Sequence, residues 1–226
     1  MENLIIYHGS QDIIEKPEYG KGKPYNDYGL GFYCTKVFEL AKEWSCTSTS
    51  DGYVNKYILN TNGLKILNLQ DEKYTILHWI TLLLKNRTFE IKNEISAQAK
   101  DYLIKNYDVD ISKYDVIIGY RADDSYFSFA QDFLNNGISV QKLAHAMKLG
   151  NLGEQIVIIS KKAFNKLQYV ESEPVSRDIY YKLRASRDKN ARDEYINSKA
   201  NTSINKDDLF IVDIIRGEIK EDDSRL

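Results

Sequence analysis

Tyr114-Asp115-Val116-Ile117-Ile118-Gly119 is the stretch from which the fold is read. Its apolar residues run without interruption and are mostly β-branched, the pattern of a strand covered on both faces. Working upstream, Asp71 to Asn86 carries Ile76, Leu77, Ile80, Leu83 and Leu84 at helical offsets. Asp71 serves as the expected N-cap and Arg87 lies near the last turn. A second helix is predicted from about Phe89 to Asn106. Before these, Tyr53 to Leu59 and Leu64 to Leu69 read as strands, and Val37, Leu40, Ala41 and Trp44 share one helical face. Gly29 to Thr35 is a glycine-flanked aromatic strand. The chain opens with a strand, Leu4 to Tyr7, that ends at His8-Gly9-Ser10, where Gly9 permits a tight turn. Working downstream, Asp123-Asp124-Ser125 caps a helix ending at Asn136-Gly137. Ser139 to Leu149 is amphipathic, Gln155 to Ile159 is a strand, and Lys161 to Leu167 makes one or two helical turns. Strands and helices alternate too irregularly for a doubly wound sheet, so the fold class is α+β.

Composition narrows the range of functions. The 226 residues hold 31 basic and 33 acidic side chains, a formal charge of −2, with 42% hydrophobic residues. This is the balance of one globular domain with an appendage. A chain of this length buries roughly 70% of its unfolded surface and needs no disulfide or metal staple. Cys34 and Cys46 are too few for a disulfide framework and lack neighbours at zinc-ligand spacing. No apolar run approaches the ~18 residues of a membrane span, and the stretch from Met1 to Ile6 has no basic leader, so the expected setting is the cytoplasm. Near-neutral charge argues against binding nucleic acid through a broad positive surface.

No repeat, low-complexity tract or flexible linker divides the chain. The expected organisation is a domain over residues 1–172 followed by a charged helical extension over 173–226. Within the extension, Arg177 to Asn201 interleaves basic and acidic residues with an apolar stripe of Ile179, Tyr180, Leu183, Tyr195 and Ile196. That is a helix packed on the domain with a solvated outer face, or a docking element. Leu209 to Ile215 is a short apolar segment that pairs with this helix or with a partner, and Glu218 to Leu226 is a frayed acidic tail. Near the start, Glu15 to Tyr28 contains Pro17, Gly20, Gly22 and Pro24, a loop long enough to carry function.

Candidate chemistries can be tested one residue at a time, because His8, His78 and His145 are the only histidines. His78 and His145 lie inside helices without a carboxylate or Cys at metal-ligand spacing, so no metal site is expected. Gly29-Leu30-Gly31 precedes a strand, the wrong context for a dinucleotide-binding turn. Cys34 has no base beside it in sequence. What remains is His8 after the first strand, Tyr33 in Gly31-Phe32-Tyr33, and Glu154 opening Glu154-Gln155-Ile156-Val157-Ile158.

Taken together, Tyr7-His8-Gly9-Ser10, Asp27-Tyr28-Gly29-Leu30-Gly31-Phe32-Tyr33-Cys34-Thr35 and Glu154 resemble the ADP-ribosyltransferase superfamily. The likeness is to its histidine, tyrosine, glutamate branch, which includes diphtheria toxin and the poly(ADP-ribose) polymerases. It is closer still to an uncharacterised bacterial toxin-like family of that superfamily. That family has the same Tyr-His-Gly-Ser start, an Asp-Phe-Gly-x-Gly-Phe-Tyr-x-Thr block and an Asn-Arg pair after a Trp-containing helix. It also has an apolar Tyr-Asp-Val strand followed by Ala-Asp-Asp. Trp79, Asn86-Arg87, Tyr114 to Gly119 and Ala122-Asp123-Asp124 match those features, and the resemblance covers about residues 4 to 170. The arginine-led branch, with its Ser-Thr-Ser, is excluded: Ser48-Thr49-Ser50 is present, but no arginine precedes Arg87.

The resemblance implies a split mixed sheet with flanking helices and NAD as substrate. His8 would bond a ribose hydroxyl, the Gly9 backbone would meet the carboxamide, Tyr33 would pack its ring on nicotinamide, and Glu154 would stabilise the oxocarbenium-like transition state. Ser10, Gly31 and Gln155 join His8, Gly9 and Tyr33 as NAD-contacting residues. Relatives often carry glutamine near Glu154-Gln155, and a one-residue slip on a strand reverses the face a side chain occupies. Glu154 and Gln155 therefore cannot both face the ribose. Arg87, Asp123 and Asp124 are read first as loop-ordering residues. The implied activity is mono-ADP-ribosyl transfer to a macromolecule, protein or nucleic acid, by a toxin-like effector of the toxin–antitoxin or phage-defence type, restrained by a small antitoxin protein. The alternatives are an NAD glycohydrolase and a silent fold that acts as a binding module.

Overall fold

The computed structural model describes residues 3–122, 124–149, 153–201, 205–220 and 223–226. Among them, seven strands in two sheets and eight α-helices give a mixed α+β fold. β1 (Asn3–Ser10), β3 (Gly52–Asn60) and β7 (Leu167–Val175) form an antiparallel sheet in the order β1-β3-β7. The second sheet runs β2 (Phe32–Cys34), β6 (Glu154–Ile158), β5 (Val116–Tyr120) and β4 (Ile66–Asn68). Its β4–β5 pair is parallel and the other two are antiparallel. The sheets meet at a single isolated bridge, where Tyr7 and Thr35 exchange backbone hydrogen bonds of 2.8 and 2.9 Å.

Alternation along β5 explains its continuous apolar run. Val116 packs with Ile6, Tyr57, Leu59, Ile156 and Ile158 in a cluster drawn from both sheets. Ile117 points the other way, into the larger core formed with the helices. That core holds Trp79, Ile80 and Leu83 of α2 (Ile76–Asn86), Leu103 of α3 (Glu94–Tyr107), Phe129 and Phe133 of α4 (Asp124–Leu134) and Leu143 of α5 (Val140–Ala146). Both helix starts fall later than the sequence suggests. Thr75, not Asp71, caps α2: its hydroxyl accepts from the Leu77 N–H, and its own N–H donates to His78 Nδ1 at 3.0 Å. Asn93 caps α3 through the Ser96 N–H at 2.9 Å. At α2 the reciprocal capping pair outcompetes the lone acidic cap upstream, and at α3 the Asn93–Ser96 pair sets the start. Asp123 lies outside the described residues. Among those residues, no helix is long and apolar enough to cross a membrane.

The boundary expected between residues 172 and 173 falls inside β7, whose ladder with β3 runs on to Val175 opposite Gly52. α6 (Lys161–Phe164) makes one turn, the shorter of the two lengths expected between Lys161 and Leu167. Pro174 is tolerated because β7 is an edge strand, needing no further ladder on its outer side. The long helix α7 (Arg177–Asn201) then packs back on the domain. Arg187 donates to both carboxylate oxygens of Glu43, at 3.0 and 2.7 Å, on α1 (Phe38–Ser45). The Tyr195 ring stacks on Phe129 at 3.9 Å between centroids, and its hydroxyl donates to Asp132 at 2.7 Å. Of the anticipated apolar stripe, Tyr195 is buried, whereas Ile179, Leu183 and Ile196 are 57, 49 and 61% exposed. The Leu209–Ile215 segment becomes α8 (Ile211–Arg216), which buries Ile211 and Ile214 in the main core.

Glu43 is buried, and its bidentate pair with Arg187 ties α7 to α1. Arg187→Met would strand a carboxylate away from water. We expect a loss of about 2 kcal/mol or more in urea unfolding, the partial exposure of Arg187 lowering the figure for a fully buried pair. The double variant Glu43→Gln/Arg187→Met should recover most of it. Equal losses in the single and double variants would show that the pair does not hold the helix.

Candidate active site

A cleft of about 630 Å³ opens where β1 and β2 part, walled on its outer side by the loop from Asp12 to Gly22. Its volume sits within the roughly 300–1,000 Å³ usual for small-molecule sites. Asn55, itself buried, anchors that loop to the sheet: Oδ1 accepts from the Ile14 N–H at 2.8 Å, and Nδ2 donates to the carbonyls of His8 and Asp12. His8, Gly9, Gly31, Tyr33 and Gln155 all line the cleft. Ser10 and Glu154 are not among the lining residues. Ser10 instead bonds the Asp12 carbonyl and receives Asn55 Nδ2 at 3.0 Å, so it shapes the loop.

Sheet register decides between Glu154 and Gln155. Tyr33 is directly opposite Val157 in the β2–β6 ladder, so Gln155, two residues from Val157, shares the face of the Tyr33 ring. Glu154 falls on the reverse pleat and meets Lys36 at 3.4 Å at the surface. The acid expected at the centre of the site is thus outside it, and a buried glutamine takes the inward position.

Each inward residue is held by identifiable partners. His8 Nδ1 lies 2.7 Å from the Tyr33 carbonyl. A carbonyl only accepts, so the proton is assigned to Nδ1, and Nε2 is the ring nitrogen left to accept a bond from a ligand. Desolvation lowers the His8 pKa, partly offset by the Tyr33 carbonyl, and so favours the neutral ring. The Tyr33 hydroxyl donates to the Gly29 carbonyl at 2.6 Å and accepts from the Tyr28 N–H at 3.1 Å. With the hydroxyl so engaged, Tyr33 offers the cleft a ring face, and burial raises its pKa. Gly9 has a role the sequence did not show. A Cβ there would sit 2.0 Å from the Ala41 carbonyl oxygen of α1, so the missing side chain first of all lets the helix lie against β1. Cys34 is fully buried and desolvation pushes its thiol pKa well up, so it is no nucleophile.

At the cleft floor lies a residue that sequence reasoning missed, Asp27. It is buried, and Arg87 Nη1 donates to its Oδ1 at 2.8 Å. The Ala122 N–H donates to Oδ2 at 2.8 Å, and Gln155 Nε2 lies 3.4 Å from the same oxygen. Burial raises the Asp27 pKa, while the Ala122 N–H and the charges of Arg87 and Arg121 pull it back. Asn86 Nδ2 reaches the Asp27 carbonyl at 3.3 Å, so Asn86 and Arg87 together tie the loop before β2 to the end of α2, with Asp27 as their target. Across the cleft the Arg121 guanidinium lies over the Trp44 ring at 4.3 Å. Lys16, Lys21, Arg87 and Arg121 outnumber Asp12, Glu18 and Asp27 along the lining.

A family model described as protein of unknown function (DUF3990) matches residues 4–169. The chain belongs to the DUF3990 family. No curated protein and no solved structure matches it. Every cleft-lining residue falls within the DUF3990 span, whereas α7 and α8 lie beyond it and contribute packing. Asp27 had one signal in sequence: it opens the Asp27-Tyr28-Gly29-Leu30-Gly31-Phe32-Tyr33 block. Trp44 and Arg121 had none, since one reads as a core aromatic and the other as a strand-end base.

His8 gives this DUF3990 cleft a pH signature. Its folded-state pKa lies below the ordinary 6.5, so between the two values the unfolded chain holds more protons. The stability His8 contributes is complete above 6.5 and fades as pH falls below it. Unfolding free energies measured at about pH 7.5 and about pH 5.5 should therefore drop less in His8→Asn than in wild type. An identical drop in both would show that His8 is solvated like a free imidazole.

Proposed function

We propose that the cleft binds NAD and that the protein transfers ADP-ribose from it to a macromolecular acceptor in the cytoplasm, with Gln155 in the place the resemblance gives to a glutamate. The observation that carries this reading is the convergence of His8, Tyr33 and Gln155, from three different strands, on one cleft. Nε2 of a neutral His8 suits a ribose hydroxyl, the Tyr33 ring suits the face of nicotinamide, and the cationic excess along the lining suits a pyrophosphate. In the reaction the C–N bond between ribose and nicotinamide breaks with its electron pair leaving on nicotinamide. An acceptor nucleophile then bonds C1′ and gives up its proton. Developing positive charge on the ribose would be met by the Gln155 carbonyl dipole and by the Asp27 carboxylate behind it. A toxin-like role under the control of a small antitoxin protein is the biological setting that fits such an activity.

One observation favours a second reading. With Glu154 at the surface, the inward residue is a neutral amide, which stabilises an oxocarbenium less than a carboxylate would. The same cleft would then bind NAD without turning it over.

Purified protein incubated with labelled NAD, with and without cell lysate, separates the readings. We expect label to move onto a macromolecule only with lysate. Gln155→Ala and His8→Ala should each cost about 10²-fold or more in rate, and Glu154→Ala less than about twofold. Nicotinamide released without an acceptor would make the protein a glycohydrolase. Intact NAD that nevertheless binds would leave a binding module. Loss of activity in Glu154→Ala, with Gln155→Ala unaffected, would overturn the placement of the two residues.

A further inference from the structure

Gln155 is 5% exposed, and the two ends of its amide meet different surroundings. Nε2 faces Asp27 Oδ2 at 3.4 Å, whereas Oε1 is buried with no hydrogen-bond partner among the described residues. Bare buried acceptors are rare in folded proteins and ask for an explanation; in the wall of a cleft the explanation at hand is a ligand donor. The amide cannot simply turn over. Rotation would set Oε1 against a carboxylate oxygen, acceptor against acceptor, and would leave an N–H without its partner. Asp27 is in turn immobilised, one oxygen on Arg87 and the other on the Ala122 N–H, each at 2.8 Å. Oδ2, shared by the Ala122 N–H and Gln155 Nε2, has both lone pairs engaged, so through this oxygen Asp27 acts on a ligand by way of Gln155.

We infer that Asp27 is the positioning residue of the cleft: by accepting from Gln155 Nε2 it fixes the amide so that Oε1 takes a hydrogen bond from a hydroxyl of the bound molecule. Resting on the NAD reading above, that hydroxyl is the 2′-hydroxyl of the nicotinamide ribose.

The test is calorimetric titration of the full chain with NAD and with the analogue whose nicotinamide ribose lacks the 2′-hydroxyl. Wild type should prefer NAD by about tenfold, the worth of one well-made hydrogen bond to a buried acceptor. Gln155→Met keeps the bulk and removes the acceptor, and the preference should fall to about one. Asp27→Ser draws the oxygen back from both Gln155 Nε2 and the Ala122 N–H, and Asp27→Leu removes the acceptor at similar bulk. In both the preference should also collapse toward one. A merely structural Asp27 would weaken NAD and the analogue alike, so an unchanged preference in either folded variant overturns the inference.

A measurement on wild type covers the case in which neither Asp27 variant folds. The Gln155 side-chain amide, assigned by its absence in Gln155→Met, should show in ¹⁵N spectra one proton displaced well downfield of the solvated-glutamine position by the Asp27 carboxylate and protected from solvent exchange. Both protons at solvated-glutamine positions with fast exchange would overturn the inference as well. If wild type fails to bind NAD, the NAD reading falls and with it the ribose hydroxyl as the donor. The amide spectrum then still decides whether Asp27 orients Gln155.

Discussion

A buried carboxylate must be surrounded by donors, and much of this structure is arranged around that demand at Asp27. Taking an ionised carboxylate out of water costs several kcal/mol, which only well-placed charges and N–H groups offset. Here the donors come from the end of α2 through Arg87, from the segment after β5 through the Ala122 N–H, and from β6 through Gln155. Each belongs to a different element, so satisfying one side chain fixes the loop before β2 against three parts of the fold. The position of Tyr33 follows, because its hydroxyl is held by Tyr28 and Gly29, the two residues after Asp27. His8 is then set by the Tyr33 carbonyl. The inward geometry of the cleft is one chain of hydrogen bonds that starts at a charge.

Close backbone approach is the second constraint, and it gives two glycines a reason that ligand binding alone would not. Gly9 lets the Ala41 carbonyl of α1 lie against β1. Gly119, the last residue of the apolar run that identifies β5, leaves room for the Tyr28 ring, whose hydroxyl would sit 2.2 Å from a Cβ there. That hydroxyl donates to the Tyr120 carbonyl at 2.7 Å, and the Trp79 indole donates to the same oxygen at 3.2 Å. The Trp-containing helix, the Tyr-Asp-Val strand and the Asp-Tyr-Gly block are therefore parts of one packing unit around the cleft floor.

How much of this was legible in the sequence depends on the range of the interaction involved. β5 and α2 declare themselves through local periodicity, and His8 and Tyr33 through motifs contained in a few residues. β7 did not: four of its nine residues are polar or charged, three of them consecutive, it contains Pro174, and only pairing with β3 makes it a strand. The start of α2 depends on whether Thr75 or Asp71 finds a reciprocal partner, and His78 supplies it from within the helix. The inward face of β6 is invisible locally, because Glu154 and Gln155 are equally plausible until Tyr33 is set opposite Val157. Asp27 is the extreme case. Its partners lie 60, 95 and 128 residues away, and no window of sequence contains any two of them with it.

That distance also bears on why an amide occupies position 155. The resemblance calls for a carboxylate from this strand, yet Gln155 Nε2 is only 3.4 Å from Asp27 Oδ2. Two carboxylates at such a separation cannot both stay ionised; one would be forced to hold a proton, as in paired catalytic acids. Arg87 and the Ala122 N–H already favour the charge on Asp27, so a glutamate at 155 would be the partner driven neutral, losing the property for which a glutamate is used. A glutamine avoids the conflict. It donates to the fixed charge with one end and presents an acceptor with the other. The amide at 155 and the carboxylate at 27 are thus a single arrangement, in which the negative charge is set one hydrogen bond behind the surface that meets the ligand.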